Sequence, residues 1–178
     1  MDLEQGTVRP LGPEDAPAFR AVRLRALETD PASFLSSYEE EAPRSMEEFA
    51  ARLRGEDPAV RVVGAFRGHA LVGTLGFYRH APLKARHRAS LWGMYVAPEE
   101  RRRGVGRALV DEALRLLRAV GTVEQAELNV AVVAEAARRL YASVGFEAQG
   151  VLRGAMKIGG RYFDEEMMVL RWQVGGRP

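Results

Sequence analysis

The second half of the chain alternates short apolar, β-branched runs with strongly amphipathic segments, and this alternation limits the folds open to it. Runs at 89–96 and 125–130 have strand character, while segments at about 104–120 and 134–143 repeat apolar residues at helical spacing. A strand–helix–strand–helix order with short connections is typical of a sheet covered by helices. We therefore predict a mixed α/β fold in which helices pack on a sheet.

The first half and the C-terminus complete this pattern. A helix is predicted from about Glu14 to Asp30, and Ser45-Met46-Glu47-Glu48 is a capping box that begins a second helix ending at Gly55. Between them, segment 36–41 is acidic and predicted to be irregular. Further strands are predicted at 60–66, 70–78, 148–158 and 161–172, the last two forming a hairpin that turns at Gly159-Gly160.

Composition excludes several classes of protein. The 178 residues are close to one average domain, so a single domain over 1–178 is expected. The absence of cysteine excludes a thiol nucleophile and a disulfide framework, and a reducing cytoplasm is the expected location. No apolar run approaches a membrane span, and the N-terminus does not read as a signal peptide. Three scattered histidines lack metal-ligand spacing, so no catalytic metal is expected.

The segment from Leu91 to Ala108 carries the clearest chemical signal. A strand ends, an arginine-rich turn with Gly104-Val105-Gly106 follows, and a helix begins at once. The first turn of a helix leaves N–H groups without intrahelical acceptors, and the helix dipole places partial positive charge there. Glycines let an anion approach that backbone closely. The segment is therefore a candidate phosphate site, with an ordinary solvated loop ahead of a helix as the alternative.

Two common nucleotide motifs do not fit this segment, because Gly-Lys-Ser/Thr is absent and Leu109 stands where a dinucleotide fingerprint has its third glycine. Arg101–Ala108 instead resembles the Arg/Gln-x-x-Gly-x-Gly/Ala signature of the GNAT superfamily of N-acetyltransferases. Stretch 92–98 is similar to that family's fourth strand, and Leu140–Phe146 is similar to its Leu-Tyr-x-x-x-Gly-Phe motif. The resemblance implies a mostly antiparallel central sheet flanked by helices, splayed between the strands at 89–96 and 125–130.

The resemblance also implies that acetyl-CoA is the co-substrate. N–H groups from Arg103 to Ala108 would hold its pyrophosphate, and main-chain groups of the fourth strand would pair with the pantetheine arm. A backbone N–H near Met94 or Tyr95 would polarise the thioester carbonyl. Tyr141 would donate a proton to the leaving thiolate, although an aromatic side chain on such a helix is often part of the core. The implied cofactor residues are Met94, Tyr95, Val96, Arg101, Arg102, Arg103, Gly104, Val105, Gly106, Arg107, Ala108 and Asn129.

The chain departs from the family pattern at three places. Arg102 stands where glycine is frequent, and Ala134 replaces a frequent asparagine. Asn129, earlier on the preceding strand, is a candidate substitute for that asparagine, and the loss of its polar contact is the alternative. No carboxylate occurs between 91 and 96, where some members carry a general base, so the base is open. Glu40, within the acidic run 39–41, is our candidate; a solvated charged face is the alternative for that run, and His87 is a second candidate.

Two segments are candidates for contact with the acceptor. Segment 36–41 borders the acceptor site in this family, which makes Tyr38 and Glu39 candidate substrate residues. The C-terminal stretch 157–165 is similar to one in family members that acetylate amino acids and other small amines. There Asp164, together with Glu165, would attract a cationic amine, while a purely structural hairpin is the alternative.

We therefore expect an N-acetyltransferase that moves an acetyl group from acetyl-CoA to a primary amine of a small molecule or amino acid, by direct attack in a ternary complex. The alternatives are an acetyl-CoA sensor without turnover, and acetylation of a protein N-terminus. Nucleic-acid binding through the cluster Arg101–Arg103 is a third class, which the small net charge of +2 argues against. A homodimer through the exposed C-terminal strand is a further expectation.

Overall fold

The computed structural model describes residues 6–173. Its helices are α1 (Ala16–Thr29), α2 (Tyr38–Glu41), α3 (Met46–Ala51), α4 (Val105–Ala119) and α5 (Glu135–Val144). Its strands are β1 (Gly6–Pro10), β2 (Val60–Arg67), β3 (Ala70–Arg79), β4 (Arg88–Val96), β5 (Gln125–Ala131), β6 (Glu147–Ile158) and β7 (Arg161–Arg171). Within this part of the chain, no helix has the length and apolar character needed to span a bilayer.

The strands form one seven-stranded sheet in the order β1-β2-β3-β4-β5-β7-β6. Neighbouring strands run antiparallel except β4 and β5, which are parallel. A parallel pair needs a crossover connection, and α4 supplies it. The predicted mixed fold with a mostly antiparallel sheet and flanking helices is confirmed.

Helices cover both faces of the sheet, as successive residues of β2 demonstrate. Val63 belongs to the large cluster in which Leu109 and Leu117 of α4 are packed, whereas Val62 belongs to a cluster with Phe19 of α1 and Phe49 of α3. Since successive side chains of a strand point to opposite faces, α4 covers one face and α1 with α3 covers the other. We call these the α4 face and the α1 face.

Four details of the fold correct the sequence prediction. Strand β1 was not predicted, and it pairs with β2 at one sheet edge. Segment 36–41 is not wholly irregular, since Ser37 caps the single turn of α2. Helix α3 ends at Ala51, before the predicted stop at Gly55. The exposed edge at the other end of the sheet is β6, because β7 lies between β5 and β6, so an edge-to-edge homodimer would use β6 rather than the last strand.

A bulge in β4 changes which face its side chains occupy. The register with β3 passes from Trp92 opposite Gly76 to Tyr95 opposite Thr74, so β4 carries an extra residue here, and Gly93 has a φ of 64°. Before the bulge, Leu91 packs on the α4 face, whereas after it Met94 packs there and Tyr95 turns to the α1 face. One extra residue therefore inverts the alternation of the strand.

Candidate active site

The start of α4 presents an open group of backbone donors. Gly104 is the N-cap residue with a φ of 81°, and no side chain caps the helix. The first hydrogen bond of the helix runs from the Ala108 N–H to the Gly104 carbonyl at 3.0 Å. The N–H groups of the preceding residues therefore face outward together with the positive end of a 15-residue helix dipole. We call the backbone of residues 103–107 the cradle; it is suited to an anion, whereas the predicted Ala108 N–H is already used inside the helix.

The arginines around the cradle are not equivalent. Arg101 donates from Nε to the Val96 carbonyl at 2.9 Å and pairs with Asp30 at 2.6 Å, so its side chain fixes the loop. Arg107 pairs with Asp111 at 2.9 Å, and Arg103 lies 3.5 Å from a Glu100 carboxylate oxygen. Three of the four arginines between 101 and 107 are thus engaged within the protein, among them Arg101 and Arg107, whose side chains we expected to contact the pyrophosphate.

Arg102 differs from these three residues. Its φ of 61° lies in the left-handed region, which costs a non-glycine residue about 1–2 kcal/mol. Its exposed side chain has no hydrogen bond or ion pair with residues 6–173. The frequent glycine at this position is therefore explained by backbone conformation, and the arginine that replaces it is left available for a ligand. Strain retained at a ligand-binding turn is a recognised functional pattern.

The strands β4 and β5 part next to the cradle. They pair only at Arg88–Gln125, Ala89–Ala126 and Ser90–Glu127, although both strands continue for several residues. From Leu91 to Val96 the edge of β4 that faces β5 has no partner strand, as the predicted splay requires. An extended ligand can pair with such an edge by adding a strand.

A buried ion-pair network fixes the point where the strands part. Glu127 accepts two hydrogen bonds from Arg88, at 2.9 and 2.8 Å, and lies 3.0 Å from His80 Nε2. His80 also lies 3.0 Å from the Ser90 hydroxyl oxygen. Such bidentate pairs have defined geometry, so they hold the last paired residues together.

Beyond this network the splay opens into a cavity of about 310 Å³ on the α1 face, which we call the splay cavity. That volume is within the range of small-molecule sites. Its walls come from the α1–α2 region and from β4, β5 and β7, with Phe34, Trp92 and Met167 among the apolar residues. The cavity therefore lies on the opposite face of the sheet from α4, and the splay connects the two.

Glu165 is the carboxylate of this cavity that has no partner within the protein's described residues. The side chain is only 8% exposed, and it has no hydrogen bond or ion pair with any residue between 6 and 173. Burial raises the pKa of its carboxyl above the ordinary value. The next residue, Glu166, points to the other face and accepts two hydrogen bonds from Arg138 at 2.9 Å, which lower its pKa. A buried carboxylate without a partner is suited to accept a proton or bind a cation.

A buried guanidinium also lines the splay cavity. Arg23 of α1 is 6% exposed, and its Nε and Nη1 find no hydrogen-bond partner within residues 6–173. Its Nη2 pairs with Glu41 at 3.1 Å, and Glu41 is shared with Arg52 at 2.8 Å. Burial acts to raise the pKa of Glu41, but the Arg52 hydrogen bond and the Arg23 charge outweigh it. Sequence periodicity gave no sign of this arginine, because it occupies a core position of α1.

The predicted catalytic tyrosine lies on the α4 face. The Tyr141 ring is 4% exposed and packs edge-on against Phe146, with ring centroids 5.6 Å apart. Its hydroxyl has no hydrogen-bond partner among the described residues. Burial strongly raises its pKa, so the phenol stays protonated at neutral pH. The ring is part of the core, and the catalytic role of the hydroxyl stays a prediction.

Of the remaining predicted residues, some line a cavity and others make local hydrogen bonds to the backbone. Asn129 lines the splay cavity, while Tyr38 and Glu39 line a neighbouring cavity of about 680 Å³. Glu40 lines neither cavity, because its carboxylate accepts the Ser37 N–H at 2.7 Å in the cap of α2. Asp164 accepts the Gly154 N–H at 2.8 Å and so supports a bulge in β6.

In residues 6–173 no three His, Asp or Glu side chains converge as metal ligands, and metal-free chemistry stays a prediction.

Solved acetyltransferases share this architecture. The chain aligns with a GNAT-family acetyltransferase from Streptococcus pneumoniae at 22% identity and TM-score 0.85, over 94% of this chain and 99% of that one. It aligns with a ribosomal-protein-alanine N-acetyltransferase from Brucella melitensis at 26% identity and TM-score 0.80, over 93% of this chain and 99% of that one. It also aligns with a phosphinothricin acetyltransferase from Sinorhizobium meliloti, solved in complex with acetyl-CoA, at 23% identity and TM-score 0.78, over 94% of this chain and 88% of that one.

The family model that describes the acetyltransferase (GNAT) family matches residues 22–146. That range includes α1, the bulged strand β4, the cradle and the tyrosine of α5. It also includes the splay between β4 and β5, so the sequence match and the site geometry concern the same part of the chain. The chain therefore belongs to the GNAT family, and it is an enzyme of the acyltransferase class.

Proposed function

We propose that the protein transfers an acetyl group from acetyl-CoA to a primary amine of a small molecule or amino acid, by direct attack in a ternary complex. The observation that carries the proposal is the position of Glu165. A buried, unpartnered carboxylate faces a cavity that opens where β4 and β5 part, next to a strand edge and a helix N-terminus free to hold the donor.

The donor side is supported by the cradle. The outward N–H groups of residues 103–107 would hold the pyrophosphate, and Arg102 would add a charged contact. The unpaired edge of β4 at Met94 and Val96 would pair with the pantetheine arm and direct the thioester into the splay. The same fold carries acetyl-CoA in the phosphinothricin acetyltransferase of Sinorhizobium meliloti.

Glu165 replaces Glu40 as our candidate for the general base. An amine with a pKa of about 10.4 is mostly protonated at neutral pH and must lose a proton before its lone pair can attack. The lone pair then forms a bond to the thioester carbon, the C–S bond breaks, and its electron pair goes to sulfur. The ammonium proton passes to the Glu165 carboxylate before the attack, and the second proton, which the nitrogen loses as the amide forms, goes to the thiolate and gives CoA as the free thiol. The raised pKa of Glu165 brings that carboxylate closer to the amine in basicity.

Tyr141 would stabilise the leaving sulfur from the α4 face. Because burial raises its pKa well above the roughly 8.5 of an ordinary thiol, complete transfer of its proton to a thiolate is unfavourable. A hydrogen bond from the hydroxyl to the developing thiolate is the role that fits. Base and donor then act from opposite faces of the sheet, and the splay is where they meet.

The test is CoA release by the full chain with acetyl-CoA and a panel of primary amines, together with calorimetric binding of acetyl-CoA. The panel contains amino acids, simple alkyl amines and peptides with free N-termini. Amine-dependent CoA release with mass-spectrometric detection of the acetylated product supports the proposal. Binding of acetyl-CoA without release above background would instead indicate a sensor, and preference for peptides over all small amines would indicate acetylation of protein N-termini.

A further inference from the structure

Opposite walls of the splay cavity carry opposite charges that the protein does not fully compensate. On the α1 side, Arg23 and Arg52 share the single carboxylate of Glu41, which leaves one positive charge in excess. On the β7 side, Glu165 has no cation within 4 Å among the described residues. The remaining carboxylate of the cavity, Glu127, is already paired with Arg88. Uncompensated charges in a low-dielectric interior are costly unless a ligand pairs with them.

The two free donors of Arg23, Nε and Nη1, are fully buried and lie behind the wall of the splay cavity. A Cβ placed on Gly93 would lie 3.9 Å from Arg23 Nη1, and it would meet no other side chain or distant backbone atom within 4 Å. Gly93 is the bulged residue that lines the splay cavity, so Nη1 lies directly behind the cavity wall where β4 is bent, at a position with no side chain of its own. The guanidinium is held over the Phe34 ring, 5.0 Å from its centroid, which fixes its plane. Arginine in a fixed plane can bind a carboxylate through two parallel hydrogen bonds.

We propose that the acceptor is a zwitterionic amino acid whose carboxylate binds Arg23 while its amine lies against Glu165. This inference rests on the proposed function and specifies its substrate. The cavity volume of about 310 Å³ is at the small end of ligand sites, which fits a single amino acid rather than a folded polypeptide segment. Phe34, Trp92 and Met167 line the same cavity and favour an apolar side chain on that amino acid.

The first test compares matched acceptors on the unmodified enzyme. Leucine, methionine and phenylalanine are each compared with their amides, which keep the amine and side chain but lose the negative charge. Values of kcat/KM are corrected for the unprotonated fraction of each amine, because the amides are weaker bases. The proposal expects the acids to be favoured roughly ten- to a hundredfold, as for loss of hydrogen bonds to a charged group.

The second test assigns that preference to Arg23. Arg23→Met removes the guanidinium, while Glu41 keeps its hydrogen bond from Arg52, so no buried carboxylate is left unpaired. The acid-to-amide ratio should fall towards one, through a rise in KM for the acids. Glu41→Gln is the matched control, because it breaks the same ion pair outside the cavity yet leaves the guanidinium, and it should keep the ratio high.

The outcomes separate the two proposals. No transfer to any acid or amide, with acetyl-CoA bound, overturns the proposed function itself. Transfer to amides as efficient as to acids leaves the proposed function in place and overturns this inference. An equal loss with both acceptors in Arg23→Met also overturns it, because Arg23 would then act on the thioester or on the fold. The acceptor comparison on the unmodified enzyme needs no variant, so a misfolded Arg23→Met does not remove the test.

Discussion

The cradle and the splay cavity lie on opposite faces of the same sheet, and one is built from backbone groups while the other is built from side chains. The cradle consists of backbone N–H groups from five consecutive residues, 103–107, ordered by one helix start. The splay cavity consists of side chains from α1, β4, β5 and β7, which are far apart in sequence. A backbone site tolerates side-chain change as long as its conformation is kept, whereas a side-chain site can change with one substitution. We therefore expect most substitutions to leave binding at the donor site intact, whereas a single substitution can change which ligand the acceptor site binds.

The largest expected effect concerns the side-chain site. Glu165→Gln should lower kcat by about 10²–10⁴, the usual contribution of a general base. The pKa of Glu165 is raised in the folded state, so its contribution to stability is full below the ordinary value and is lost as pH rises through the folded value. The variant should therefore unfold at a higher temperature than wild type at pH 7, and the difference should vanish below about pH 4.

Glu166→Gln is the matched control, one residue away on the other face. The Arg138 hydrogen bonds lower the pKa of Glu166, so this group stabilises the fold above its ordinary pKa and loses that effect as pH falls. The variant should lose thermal stability at pH 7 and keep most of its turnover. If both variants lose turnover alike, Glu165 is not the base.

The next effect concerns the backbone site. Gly106→Asp places a carboxylate in the cradle and should weaken acetyl-CoA binding at least about a hundredfold, because like charges in contact cost several kcal/mol. Gly106→Ala is the steric control: its Cβ would lie 3.1 Å from the flexible ends of Leu140 and Met94, so only a slight adjustment is needed. Calorimetry with S-acetylpantetheine, which lacks the pyrophosphate, should show no difference between the two variants. Equal binding of acetyl-CoA by both would place the pyrophosphate elsewhere.

A smaller effect is expected where the two sites meet. Tyr141→Phe should lower kcat about tenfold and leave acetyl-CoA affinity unchanged, as for loss of one hydrogen bond to a developing charge. Thermal stability should not fall, because the hydroxyl has no partner among residues 6–173. If the variant keeps the full kcat of wild type with the preferred acceptor, the Tyr141 hydroxyl has no catalytic role and the ring serves only to pack the core.

The smallest effect separates two adjacent arginines of the cradle turn. Arg102→Asn tolerates the left-handed conformation and should weaken acetyl-CoA binding about three- to tenfold, without loss of thermal stability. Arg101→Gln should lower thermal stability and leave acetyl-CoA binding nearly unchanged, because the Arg101 side chain holds the Val96 carbonyl and Asp30. Thermal unfolding with and without acetyl-CoA measures both effects. A stability loss in Arg102→Asn would mean that its side chain supports the turn.

The same contrast decides what could be predicted from the sequence. The cradle was predictable because every group in it belongs to one contiguous strand–turn–helix segment, in which Gly104 marks the turn. The C-terminal hairpin and the helices α4 and α5 have strong local patterns for the same reason. Strand β1 was missed because Gly6–Pro10 is short and ends in proline, and its strand conformation depends on pairing with β2.

The splay cavity was only partly predictable, because its composition depends on register. The sequence indicates the pair Asp164 and Glu165, but only the alternation of β7 decides that Glu165 faces the cavity. Asp164 instead lies opposite the bulge in β6, where the Gly154 N–H binds it. Arg23 was missed because its significance comes from the shared use of Glu41 by two arginines, a long-range arrangement that no local pattern records.

The bulge at Gly93 has an evolutionary consequence. Removing that single residue would restore the regular alternation of β4 and would leave Met94 against α4 and Tyr95 against α1, where both already lie. The two buried layers therefore do not depend on the bulge. A lineage that keeps the insertion keeps it for the bent, unpaired edge beside the splay, so selection on the reaction rather than on folding is what would preserve it.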